Sequence, residues 1–234
     1  MEKNRNVRII AMIGILSMFI IYLIYHYATK DTSFNKYKVD KSKNIVYSIY
    51  GNGDTSVPEI NIKGAGVEAI NTAIVDKAND FLNGRNTISY DFHINGKILS
   101  IAIKYVDYYD EVVKYPVITF DVYNINFYES KILSSNDMLS IYGVNEADVK
   151  EIVEGKFVDF YNDELEKGYF HDECDYACFL YQRGITDDNY MDDIYYYVKD
   201  GNLYVLKPFK VYSPFGEDKY YKDEDYYIQI TDYK

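Results

Sequence analysis

The stretch Ile88–Tyr105, ISYDFHINGKILSIAIKY, is the plainest β signal in the chain. Ile88, Tyr90, Phe92 and Ile94 alternate with Ser89, Asp91 and His93. Beyond Asn95-Gly96, Leu99, Ile101, Ile103 and Tyr105 alternate with Ser100, Ala102 and Lys104. A period of two belongs to a strand whose two faces meet different surroundings. Asn-Gly between two such runs favours a tight turn, because its backbone readily takes positive φ. The stretch therefore predicts an antiparallel hairpin turning at Asn95-Gly96.

Working outward, Pro116 to Tyr128 predicts a third strand with apolar residues on both faces, so that one side packs on a helix and the other on a second layer. Upstream, Val67, Ile70, Ile74, Ala78 and Phe81 recur at helical spacing and predict an amphipathic helix over 66–82. Ile45 to Tyr50 predicts a first strand, ended by the turn cluster Gly51-Asn52-Gly53-Asp54, and Val57-Pro58-Glu59-Ile60 is extended by the proline rule. Downstream, Ser134 or Ser135 caps a short helix reaching Tyr142. Asn145 caps a longer one with a buried stripe of Val149, Ile152, Val153, Phe157, Phe160 and Tyr161. Residues 168–193 are acidic and read as irregular. A second hairpin joins Asp193–Lys199 to Asn202–Leu206 through Asp200-Gly201, and Tyr226 to Thr231 is a last strand. The order β-α-βββ-αα-βββ predicts an α+β domain, antiparallel sheets with packed helices.

A single transmembrane helix is expected before this domain. Ile9 to Ala28, IIAMIGILSMFIIYLIYHYA, carries no formal charge, and twenty helical residues span roughly 30 Å, the thickness of a bilayer core. Lys3, Arg5 and Arg8 precede it, which by the positive-inside rule keeps the N-terminus cytoplasmic. Signal-peptide cleavage after Ala28 would put His26 where a small residue is needed, so an uncleaved anchor is expected. The predicted layout is a cytoplasmic tail over 1–8, a membrane helix over 9–28, a polar stalk over 29–44 and an extracytoplasmic domain over 45–234.

Charge separates along the chain. Its 234 residues carry a net charge of −12, yet residues 1–30 hold four basic side chains against one acid. The remainder has 21 basic and 36 acidic side chains, a net of −15. Apolar residues at 48% and charged residues at 26% describe a folded chain rather than a disordered one. So acidic a body repels nucleic acid and anionic lipid and attracts basic proteins.

Motifs of catalysis are missing. The sequence holds no G-x-S-x-G, no phosphate-binding glycine loop and no H-E-x-x-H. No enzymatic activity, cofactor or metal is expected. His93 reads as an exposed strand residue. Cys174 and Cys178 are the only cysteines, and outside the membrane two neighbours of this kind pair. A regular helix through them would oppose the bond. Free thiols remain open, as does a metal held by His171, Cys174 and Cys178. Acidic clusters lie beside tyrosines: Tyr108-Tyr109-Asp110-Glu111, Asp187-Asp188 with Asp192-Asp193, and Asp223-Glu224-Asp225. Tyr108, Tyr109, Asp110, Glu111, Asp187, Asp188, Asp192 and Asp193 are the candidate ligand-binding residues. Carboxylates next to aromatic rings suit the Arg and Lys side chains of a basic partner.

Several short runs carry a family resemblance. They are Val57-Pro58-Glu59-Ile60 followed by Ala69-Ile70-Asn71, Tyr115 to Val122 followed by Lys131-Ile132-Leu133, and Asp200-Gly201-Asn202-Leu203-Tyr204-Val205. Over about residues 45–231 the chain resembles the extracytoplasmic domain shared by the lysozyme-sensing anti-sigma factor RsiV and the accessory region of PdaC-type peptidoglycan deacetylases. The resemblance implies an α+β domain facing the cell envelope. It also implies lysozyme, a strongly basic protein, as the first partner to consider.

Overall fold

Among the described residues nine strands form, and all of them pair antiparallel; the short one at Lys131–Ile132 falls outside the runs that the sequence marks as strands. A computed structural model describes residues 44–82, 86–107, 117–168, 174–185, 189–209 and 226–231. The predicted tail, the membrane helix and all of the stalk but Asn44 lie outside the described residues. Among the described residues no helix is long and apolar enough to cross a membrane.

Strands β1 (Val46–Asn52) and β2 (Thr55–Ile60) make a bulged hairpin. Helix α1 (Ala65–Phe81) follows, and then a four-stranded sheet of β3 (Thr87–Asn95), β4 (Ile98–Asp107), β5 (Val117–Asn126) and β6 (Lys131–Ile132), in that order. Helices α2 (Ser135–Tyr142), α3 (Glu146–Glu166) and α4 (Tyr176–Gln182) come next. A third sheet is ordered β7 (Tyr195–Lys199), β8 (Asn202–Leu206), β9 (Tyr227–Gln229). The α+β architecture of antiparallel sheets with helices is therefore present.

The four-stranded sheet is covered on both faces, as the apolar content of the third strand predicts. On one face α1 lays Val67, Ile70, Ile74 and Ala78 into the core, Phe81 meets Tyr105 edge-on, and Lys77 pairs with Asp121 at 2.7 Å. On the other, Phe120 packs against Tyr226 and Tyr227 of the third-sheet layer. Strand β4 lies between these layers and is buried along nearly its whole length.

Three expectations need correction. The first hairpin turns one residue later than Asn95-Gly96: Asn95 pairs with Ile98, leaving Gly96-Lys97 as the turn. Gly96 takes a φ of 57°, a positive value that a glycine at the first turn position adopts freely. Asn95 stays in the strand, where its amide donates to the Tyr142 hydroxyl at 3.0 Å. Second, residues 168–193 are not wholly irregular. Asp175 accepts from the Cys178 N–H and starts α4, whose Phe179 and Leu180 enter the core. Third, Ile152 is exposed rather than buried. The α3 stripe is Val149, Val153, Phe157, Phe160 and Glu164, with Tyr161 half-buried. The helix caps resolve to Ser134, in a reciprocal capping box with Asp137, and to Asn145, which accepts from the Asp148 N–H.

Candidate functional site

A half-open cleft of about 920 Å³ lies where α3 passes the two larger sheets. Strands β3 and β4 supply one wall, with Ser89, Asp91 and Lys104. These residues occupy the polar positions of the first hairpin's alternation, which is why they share a face. Helix α3 supplies a second wall through Ile152, Gly155, Lys156 and Asp159. This is the side turned away from its buried stripe, and it explains the exposure of Ile152. Tyr204, Tyr227 and Gln229 form the third wall, with Lys199 at the end of β7. The Tyr204 hydroxyl donates to Gln229 Oε1 at 3.3 Å. Lys156 stands over the Phe160 ring at 4.6 Å and Lys199 over the Tyr227 ring at 5.9 Å. Three lysines thus face two aspartates in the cleft of a strongly acidic chain.

At the β3 wall the structure assembles a cluster that sequence reasoning missed. His93 is half-buried rather than freely exposed: Nε2 lies 3.5 Å from Asp91 and Nδ1 3.5 Å from Asp200. Its ring meets Tyr197 edge-on, and the Tyr197 hydroxyl donates to Asp91 at 3.0 Å. Burial first, and then the charge of Asp91, raise the Tyr197 hydroxyl above the ordinary tyrosine range. The only signal in sequence was the shared parity of Asp91 and His93. Asp200 arrives from the second hairpin's turn. Among the described residues no group of three or more His, Cys, Asp or Glu side chains is placed to hold a metal.

The predicted acidic ligand-binding residues are mostly not part of this picture. Tyr108, Tyr109, Asp110, Glu111, Asp187 and Asp188 lie outside the described residues, as does the cluster at 223–225. Asp192 and Asp193 are described and exposed at the approach to β7. The Asp192 carbonyl accepts from the buried Lys207 ammonium, whose pKa burial lowers. The cleft lining includes neither aspartate.

Cys174 and Cys178 are joined in a disulfide with Cα atoms 5.3 Å apart. A helix does not prevent the bond here, because Cys174 precedes the Asp175 cap and only Cys178 lies within α4. His171, the third residue of the metal alternative, lies outside the described residues. Behind the disulfide loop, Arg183 Nη2 donates to both carboxylate oxygens of Glu164, at 2.7 and 2.5 Å, and ties α4 to α3. Burial pushes the Glu164 carboxyl up from the ordinary glutamate value, and Arg183 opposes that rise.

No protein-family model matches the chain, and no curated protein matches it in sequence.

Proposed function

We propose that this chain is a single-pass, membrane-anchored binding module whose extracytoplasmic domain captures a cationic protein, with lysozyme the first candidate. The observation that carries the proposal is charge segregation: a basic flank, an uncharged apolar run over 9–28, and a body of net −15 beyond it. The Cys174–Cys178 disulfide supports an oxidising compartment for that body, since such bonds rarely persist in cytosol. An acidic body steers a basic protein toward it and raises the association rate by roughly 10- to 1000-fold at low salt.

Retention of lysozyme by the immobilised, detergent-solubilised full chain, at low and at physiological salt, tests the partner. Retention that weakens as salt rises is the expected result, and no retention at either salt rejects lysozyme. Protease added to intact cells tests the orientation. It should remove the C-terminal domain, and a domain left untouched rejects the extracytoplasmic placement.

A further inference from the structure

The cleft between α3 and the two larger sheets carries charge of the wrong sign for a basic protein. We infer that it is a separate binding site for an anionic saccharide, a short sugar or polyol chain bearing carboxylate or phosphate groups.

Three observations combine. The first is charge placed against the trend of the chain. Lys104, Lys156 and Lys199 come from three different elements and converge on one cleft. Among the described residues neither Lys156 nor Lys199 is ion-paired with a carboxylate; each ammonium instead lies over an aromatic ring. Two ammonium groups without a carboxylate partner, in a cleft where lysines outnumber aspartates, are placed to receive an anion.

The second is the character of the remaining lining. Tyr204 and Tyr227 offer ring surface, and Ser89, Asp91, Asp159 and Gln229 offer hydroxyl, carboxylate and amide groups. That mixture suits a ligand with apolar C–H faces and many hydroxyls. A cleft of about 920 Å³ has room for more than one sugar ring.

The third is Gly155. It stands in the middle of α3, where glycine costs about 1 kcal/mol relative to alanine. Its φ is not positive, and a Cβ built there meets nothing within 4 Å. Neither backbone conformation nor packing demands the glycine. It lines the cleft, so what its missing side chain does is leave the α3 wall low enough for a ligand to approach the helix backbone.

The test is calorimetric titration of the full chain, in detergent, with tri-galacturonate, a short poly(glycerol phosphate) and maltotriose. The net charge of −12 disfavours loose anion binding, so binding of either charged probe reports a local site. At least one charged probe should bind, with maltotriose about tenfold weaker or worse, and the stronger of the two identifies carboxylate or phosphate as the recognised group. Lys156→Gln and Lys199→Gln should each weaken binding by about tenfold, a loss of roughly 1.4 kcal/mol. Gly155→Leu should abolish binding while leaving the melting temperature unchanged or higher. If that variant does not fold, the two lysine variants decide the matter. Absence of binding by both charged probes, equal binding of maltotriose, or binding indifferent to both lysine changes would overturn the inference. None of these outcomes depends on lysozyme capture.

Discussion

The Asn124 carboxamide donates to the Tyr196 carbonyl at 2.7 Å and joins two sheets across 72 residues of sequence. Its oxygen accepts from the Ser100 hydroxyl at 2.6 Å, and Ser100 Oγ in turn accepts from the Val198 N–H at 2.9 Å. Strand β7 is the outer strand of its sheet, so Tyr196 and Val198 would otherwise present unpaired edge groups inside the protein. Two polar side chains, one from β4 and one from β5, satisfy that edge.

Asn124→Leu should therefore destabilise the domain by roughly 1–3 kcal/mol, because it strands the buried Tyr196 carbonyl and the Ser100 hydroxyl. Ser100→Ala should cost a similar amount by stranding the Val198 N–H. The double variant should cost less than the two singles together, since they dismantle one network. Urea unfolding midpoints measure all three, and full additivity would show that the network does not act as a unit.

The pairing of Glu164 with Arg183 gives a second prediction. Both side chains are buried, at 6% and 2% exposure. Arg183→Met alone leaves a buried carboxylate without its cation and should cost about 3–5 kcal/mol. Adding Glu164→Leu should recover much of that loss, because an apolar pair removes the desolvation penalty along with the attraction. Thermal unfolding of the single and double variants decides it, and a double variant no better than the single would contradict the account.

The disulfide is expected to matter locally. It closes a loop of only a few residues, for which chain-entropy arithmetic gives about 2 kcal/mol. In a domain of this size that is a shift of about 4–8 °C in melting temperature. Reduction should produce such a shift and increase amide exchange in α4, with the sheets unchanged. Loss of cooperative unfolding on reduction would mean that the bond holds far more than its loop.

How much of this was legible in sequence depends on how far each contact reaches. The hairpin at 88–105 and the α1 and α3 stripes are periodic patterns within one element, and periodicity marked them well. Register slipped by one step at Asn95, because its side chain has a distant use at Tyr142. Ile152 looked like core because its neighbours are core, and only the cleft beside α3 explains its exposure. Ser100 and Asn124 looked like ordinary polar positions, since the β7 groups they serve lie 98 and 72 residues further along the chain. The cleft was the least legible feature: its lysines, Gly155 and tyrosines come from five elements, and no local pattern connects them. The acidic clusters drew attention because they are contiguous, a property that says little about what the fold brings together.

Acid should expose the α2 capping box as a separate contribution to stability. Asp137 accepts from the Ser134 N–H at 2.9 Å and from its hydroxyl at 2.8 Å, and pairs with Lys131 at 3.1 Å. The Ser134 backbone and side-chain bonds, followed by Lys131, hold its carboxyl at about 2. An unfolded aspartate titrates near 3.9, so the folded pKa is the lower one. The stabilisation is therefore complete above roughly pH 4 and is lost as pH falls from there through about 2. Asp137→Asn keeps the size of the side chain but cannot titrate. The difference in melting temperature between wild type and this variant should be largest above pH 4 and shrink steadily below it. A difference that stays constant across that window would show that the cap does not depend on the carboxylate charge. Because Asp137 is not among the cleft-lining residues, the same substitution should leave saccharide titrations at neutral pH unchanged.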